Sequence, residues 1–117
     1  MDFDSVKIKI KELGERLIKI KEALKYNKKL NEMMNSDKDV LLLDVREIDE
    51  FEEGFIPNAI NIPLNKLLFS VDDIEDYKDK DVIVYCRSGH RSITACNLLS
   101  MEGFNKLYNL ERGIIEY

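Results

Sequence analysis

Hydrophobic and polar positions fall into two textures along the chain. Val6, Ile10, Leu13, Leu17, Ile20 and Leu24 recur at spacings of 4, 3, 4, 3 and 4, with Lys and Glu at most positions between. That repeat is the stripe of an amphipathic helix and predicts one over about residues 4–35. "VKIKIK" also alternates with period 2, so a short strand competes for the first turns. The stripe stops among the turn formers of "LNEMMNSDKD", which sets a boundary near Ser36 between an N-terminal helical extension, 1–36, and a second unit, 37–117.

Beyond the boundary the pattern changes. "DVLLLDV" is apolar at consecutive positions, as in a strand buried on both faces of a parallel sheet. "REIDEFEEGF" predicts a short exposed helix ended by Gly54, "IPNAINIPL" an extended stretch punctuated by proline, and residues 72–79 a polar helix or turn. "DVIVYC" is the clearest strand, and "SITACNLLSMEG" is a helix with Gly103 at its C-terminal cap. "NKLYNL" is a third short strand, followed by a turn in "ERGIIEY". Strands alternating with helices predict an α/β fold, a parallel sheet flanked by helices with an extended N-terminal helix.

Composition changes this picture only slightly. A chain of 117 residues with 44% apolar and 35% charged positions suits one compact domain. Its longest apolar runs are far shorter than the ~18 residues a membrane span needs, and its lysine-studded start has no signal-peptide core, so a cytoplasmic protein is expected. Charge is more informative. Residues 37–117 hold nine Lys and Arg against seventeen Asp and Glu, a net of −8, which argues against a nucleic-acid partner. It also makes two arginines beside a cysteine conspicuous.

That cysteine is Cys86, at the end of "DVIVYC". The loop Cys86, Arg87, Ser88, Gly89, His90, Arg91, with Ser92 beyond it, joins a strand to a helix N-terminus, where ligands of parallel α/β sheets bind. A tight turn with Gly89 at positive φ directs backbone N–H groups inward as an anion nest. The nest, the helix dipole and the guanidinium groups all favour a thiolate, so Cys86 is expected to be a nucleophile and Arg91 to help bind an oxyanion. The alternative is a small hydrophobe ending a buried strand, the common fate of free cysteines. Cys96, among Ala95, Leu98 and Leu99, reads as helix packing. His90 reads as an exposed loop residue, and Arg87 faces either the anion or solvent. No metal-ligand spacing occurs.

The segments "LLLDVREIDEFEEGFIPNAINIPL" and "VIVYCRSGHRSITACNLLSMEGFNKLYNLERGI" together resemble a single-domain rhodanese over residues 38–117. Three separated signatures occur in the family's order: "DVRE", "GFIPNAINIP" and "CRSGHRS". The resemblance implies a rhodanese-like sulfurtransferase without a cofactor, in which Cys86 carries sulfur and Asp44 and Arg46 are buried charges supporting the loop. It implies a small-molecule sulfur donor such as thiosulfate or a persulfide, a thiol or cyanide acceptor, and a protein of a sulfur relay as a further partner. The Cys-x4-Arg loop is shorter than the Cys-x5-Arg loop of related cysteine phosphatases and arsenate reductases, whose wider ring of N–H groups admits a phosphate-sized anion. Phe55, Asn58, Arg112 and Tyr117 depart from residues common in the family. From Glu47 onward the helix start reads as solvated. Two alternatives stay open: a regulatory module using the N-terminal helix as its partner surface, with that helix forming a homodimer or packing on the core, and a cysteine-dependent phosphatase.

Overall fold

The computed structural model describes residues 28–36 and 39–117. The stripe from Val6 to Leu24, and with it the question of the long N-terminal helix, lies outside the described residues.

Four parallel strands form the sheet: β1 Val40–Asp44, β2 Ile60–Asn61, β3 Asp81–Tyr85 and β4 Leu107–Asn109. Their order is β2-β1-β3-β4. Register pairs Asp44 with both Asn61 and Tyr85, and Val84 with Asn109. The central strands carry apolar side chains on both faces, which is why they read as unbroken hydrophobic runs. Leu41, Leu43, Val82 and Val84 face one core; Leu42, Ile83 and Tyr85 face the other.

The first core is covered by helix α2, His90–Met101, through Ala95, Cys96 and Leu99, and by two successive 3-10 helices, Leu64–Phe69 and Val71–Tyr77, through Leu67, Val71 and Ile74. Cys96 is fully buried there, in the packing role its neighbours suggest. The second core is covered by Ile56, Leu110 and the helical residues 28–34, which bury Leu30 with Met33 and Met34 beside it. Helix α2 ends in a Schellman motif: the Phe104 N–H donates to the Leu99 carbonyl and the Gly103 N–H to that of Ser100, with Gly103 at φ 96°. Helix α1, Ile48–Glu53, contributes no buried residue.

Two differences from the sequence reading follow from local geometry. The span from Leu64 to Tyr77 folds as two 3-10 helices, where only its second half and a few residues beyond were expected to be helical. Helix α2 begins at His90, two residues earlier than the apolar pattern suggests, because Gly89 at φ 100° turns the chain directly into it.

Because the chain leaves β1 to form β2 on one side and returns to form β3 on the other, the C-terminal ends of β1 and β3 lie side by side where connections depart in opposite directions. Crevices at such points are where open α/β sheets bind ligands. Arg46 leaves the end of β1 and Cys86 leaves the end of β3.

Candidate active site

Cys86 follows β3 directly, and its carbonyl is held by the Ile114 N–H at 3.0 Å. Its sulfur lies within the loop's own turn. The Gly89 N–H donates to Sγ at 3.1 Å, and Ser92 Oγ stands 3.5 Å from Sγ. Burial is the largest influence on the thiol and pushes its pKa up. Hydrogen bonding with the Ser92 hydroxyl and with the N–H groups of Ser92, Gly89 and Ser88 more than offsets it, so the thiol sits below its ordinary value. The Gly89 N–H lies within hydrogen-bond distance of the sulfur, and the N–H groups of Ser88 and Ser92 act on it in the same direction.

The loop is braced from behind by residues 110–116. A Cβ on Gly89 would overlap the Glu111 carbonyl oxygen, and one on Gly113 would overlap the carbonyl oxygens of Cys86 and Arg87. Both glycines have positive φ, at 100° and 61°. The Ile115 N–H adds a bond to the Arg87 carbonyl at 3.1 Å. Nothing in the spacing of "ERGI" discloses this contact, which exists only once β4 lies beside β3.

Arg91 is engaged differently from the sequence expectation. Its guanidinium forks onto Glu50 of α1, with Nη1 to Oε1 at 2.6 Å and Nη2 to Oε2 at 2.9 Å. The Arg91 hydrogen bonds hold the Glu50 carboxyl at about 2, and Glu50 Oε1 also accepts the Glu47 N–H in a capping box. The helix start read as solvated therefore carries the residue that clamps the loop arginine. Arg87, Ser88 and His90 are exposed, and His90 Nδ1 lies 3.3 Å from Ser88 Oγ. Ser92, the third residue of α2, is fully buried and points back at the sulfur.

Asp44 and Arg46 form a closed pair at the end of β1. Asp44 is 0% exposed and accepts from the Arg46 N–H at 2.8 Å, from Nε at 3.0 and 3.1 Å, and from Nη2 at 2.7 Å. Arg46 Nη2 also donates to the Gly54 carbonyl at 2.7 Å, tying the end of α1 to β1. Asn61 Nδ2 donates to the carbonyls of Asp44 and Arg46 at 3.0 and 2.9 Å, so β2 locks the same turn.

The departures from the family pattern are accommodated. Asn58 adopts φ 72°, a conformation Asn enters more readily than most residues. Phe55 is half exposed and stacks on Phe51 at 4.3 Å. Arg112 pairs with Glu116 at 3.2 Å, and Tyr117 is exposed.

The model of the rhodanese-like domain family matches residues 26–117. The chain belongs to the rhodanese-like domain family. A sulfurtransferase of Allochromatium vinosum is 39% identical over 88 residues, covering 75% of this chain and 80% of that one. A tRNA uridine(34) hydroxylase of an Enterobacter strain is 38% identical over 88 residues, covering 72% of this chain but only 25% of that larger protein. Among solved structures, a rhodanese-like domain protein from Staphylococcus aureus superimposes with a TM-score of 0.62 at 29% identity, covering 73% of this chain and 80% of that one. The all-parallel order β2-β1-β3-β4 and the strand-to-helix cysteine loop are this chain's form of the rhodanese fold. Among the described residues no cluster of side chains suits a metal ion, and no helix is long and apolar enough to cross a membrane.

Proposed function

We propose that this rhodanese-like domain is a sulfurtransferase that moves sulfane sulfur through a persulfide on Cys86. The observation that carries the reading is the cradle of N–H groups and one hydroxyl around Sγ, which lowers the thiol pKa against the effect of burial. The likeness to the Allochromatium vinosum sulfurtransferase over most of both chains supports it independently.

The thiolate attacks the sulfane sulfur of thiosulfate. A new S–S bond forms on Cys86 while the sulfur–sulfur bond of thiosulfate breaks, its electron pair leaving with sulfite. A persulfide donor reacts the same way and departs as a thiolate. An acceptor thiolate or cyanide then attacks the outer sulfur, taking it as a persulfide or as thiocyanate and returning the Cys86 thiolate. Atoms and charge balance through both halves without an added oxidant, reductant or cofactor. The Gly89, Ser88 and Ser92 donors that held the thiolate remain around the inner sulfur while the charge passes to the outer one.

A phosphatase is disfavoured by the Cys-x4-Arg loop, whose ring of N–H groups is shorter than a phosphate-sized anion needs. The tRNA uridine(34) hydroxylase matches this chain over 25% of its own length.

The test is intact mass after exposure to thiosulfate, paired with thiocyanate formation from cyanide. Wild-type protein should gain one sulfur atom and turn over, and Cys86→Ser should do neither. Wild-type protein that carries no sulfur from thiosulfate or from a low-molecular-weight persulfide would refute the reading.

A further inference from the structure

Behind the sulfur stands a polar pair that the loop motif does not disclose. Ser92 Oγ donates to Asn109 Oδ1 at 2.5 Å and lies 3.0 Å from the Gly89 carbonyl oxygen, as well as 3.5 Å from Cys86 Sγ. Ser92 and Asn109 are both fully buried. A hydroxyl owns one proton, so Ser92 cannot serve the carboxamide, the carbonyl and the sulfur together. Asn109 meanwhile leaves its Nδ2 buried without a hydrogen-bond partner. An orphaned N–H donor is among the rarest features of a protein interior.

One rotation resolves both difficulties. Turning the Asn109 carboxamide by half a turn brings Nδ2 to Ser92 Oγ as a donor. Ser92 then accepts from Asn109, and its single proton is freed from the carboxamide for the two acceptors that remain, the Gly89 carbonyl oxygen at 3.0 Å and Sγ at 3.5 Å, of which an anionic sulfur is the stronger. The group left unpaired becomes a carbonyl oxygen, which the interior tolerates better than an unpaired N–H. The two amide settings match the two states of the sulfur. A neutral thiol donates to Ser92 Oγ while Ser92 donates to Asn109, whereas a sulfur anion needs Ser92 as its donor and therefore Asn109 as the donor to Ser92.

We infer that Asn109 is a positioning residue for sulfur chemistry: its carboxamide sets the direction of the Ser92 hydroxyl and turns it onto Cys86 whenever that sulfur is anionic. The inference deepens the sulfurtransferase reading, since the free thiolate that attacks the donor, and that the acceptor step regenerates, presents an anionic sulfur there. Its place supports it: Asn109 ends β4, in register with Val84 of β3, which puts its amide directly behind the cysteine loop.

The experiment reads the thiol rather than sulfur transfer, so it stands apart from the test of function. The rate of Cys86 alkylation by iodoacetamide is followed against pH in full-length Cys96→Ala protein, alone and with Asn109→Leu, Ser92→Ala or both. Asn109→Leu should raise the apparent thiol pKa and slow alkylation below neutrality by about three- to tenfold, equivalent to half to one pKa unit. Because Asn109 acts through Ser92, adding Asn109→Leu to Ser92→Ala should produce no further shift. An unchanged thiol pKa in a folded Asn109→Leu protein, or shifts that simply add, would overturn the inference. In protein without Asn109→Leu, the Asn109 side-chain NH2 signal in 15N NMR should move through the Cys86 titration and stay still in Cys86→Ser. A signal that does not respond to the thiol refutes the inference even if the leucine variant fails to fold.

Discussion

Removing Arg46 should be the most costly single change at the site that leaves the cysteine loop itself intact. Asp44 is 0% exposed, and the Arg46 side chain is 7% exposed. Arg46→Met keeps the aliphatic stem but strips the carboxylate of its Nε and Nη2 donors, leaving the Arg46 N–H as the one donor of that set. A buried charge that loses its partner costs about 3 to 5 kcal/mol, a large share of the roughly 5 to 15 kcal/mol that holds a domain of this size folded. With a urea slope of about 1.5 kcal/mol per molar, the unfolding midpoint should fall by about 2 to 3 M. Asp44→Leu should be similarly harmful, because it buries an unpaired guanidinium. The double variant Asp44→Leu/Arg46→Met removes both charges and should recover much of the loss, giving a coupling energy of about 2 kcal/mol or more. Urea unfolding followed by circular dichroism across the four proteins measures it. A single variant that costs under about 1 kcal/mol, or a double variant that costs the sum of the two, would show that the pair is not a desolvated unit and would refute the reasoning.

The Glu50–Arg91 pair gives the contrasting case. With side chains 29% and 36% exposed, its Coulombic gain is screened, and Glu50→Gln should cost only about 0.5 to 1 kcal/mol at neutral pH. The folded-state pKa of Glu50 is depressed to about 2 from 4.5, so its contribution is complete above the unfolded value and fades as pH falls from about 4.5 to about 2. Urea midpoints of the two proteins should therefore converge across that acid window, and a gap that persists at its lower end would contradict the assignment. Gly113→Ala drives a methyl group into the Cys86 and Arg87 carbonyls at φ 61°. It should cost about 1 to 3 kcal/mol in urea unfolding and, by displacing the cradle, lower sulfur transfer at least about tenfold. Wild-type rates in that variant would show that the C-terminal turn does not brace the loop.

What the sequence disclosed and what it hid divide along a physical line. β1 and β3 are legible because strands buried on both faces need consecutive apolar residues, and "LLL" and "VIV" have no other solvated reading at that length. The cysteine loop is legible because its chemistry and its turn lie within one short segment. Glu50 was not, because a lone carboxylate on an exposed helix resembles a solvated one until an arginine 41 positions away is folded against it. Asn109 and Gly113 were hidden for the same reason: "YNLERGI" carries no periodic signal, and their roles arise only when β4 and the turn after it lie against the loop that follows β3. The 3-10 run from Leu64 was masked by Pro63 and by spacing that fits a helix only loosely. Local patterns record burial and turn chemistry, whereas long-range partners appear once the sheet has fixed its order.

The site also changes the account of how the sulfur anion is held. Two arginines beside a cysteine suggest that positive charge stabilises it, yet Arg91 is bound by Glu50 and Arg87 is exposed, while neutral N–H groups and one hydroxyl surround Sγ. Under the proposed function that division suits a group that must both take and give sulfur. A thiolate pinned by a full cation has its pKa driven far down, and nucleophilicity falls with pKa, so the optimum lies near ambient pH. Fixed neutral dipoles lower the pKa enough to populate the anion without drawing away the electron pair that must attack. The backbone N–H groups among them carry no net charge that must rearrange when the negative charge passes from Sγ to the outer sulfur and back. Exposed Arg87 can still draw anionic donors toward a domain whose net charge repels them. On this reading Glu50 neutralises much of the Arg91 charge that Cys86 feels, and the neutral donors around Sγ set its reactivity.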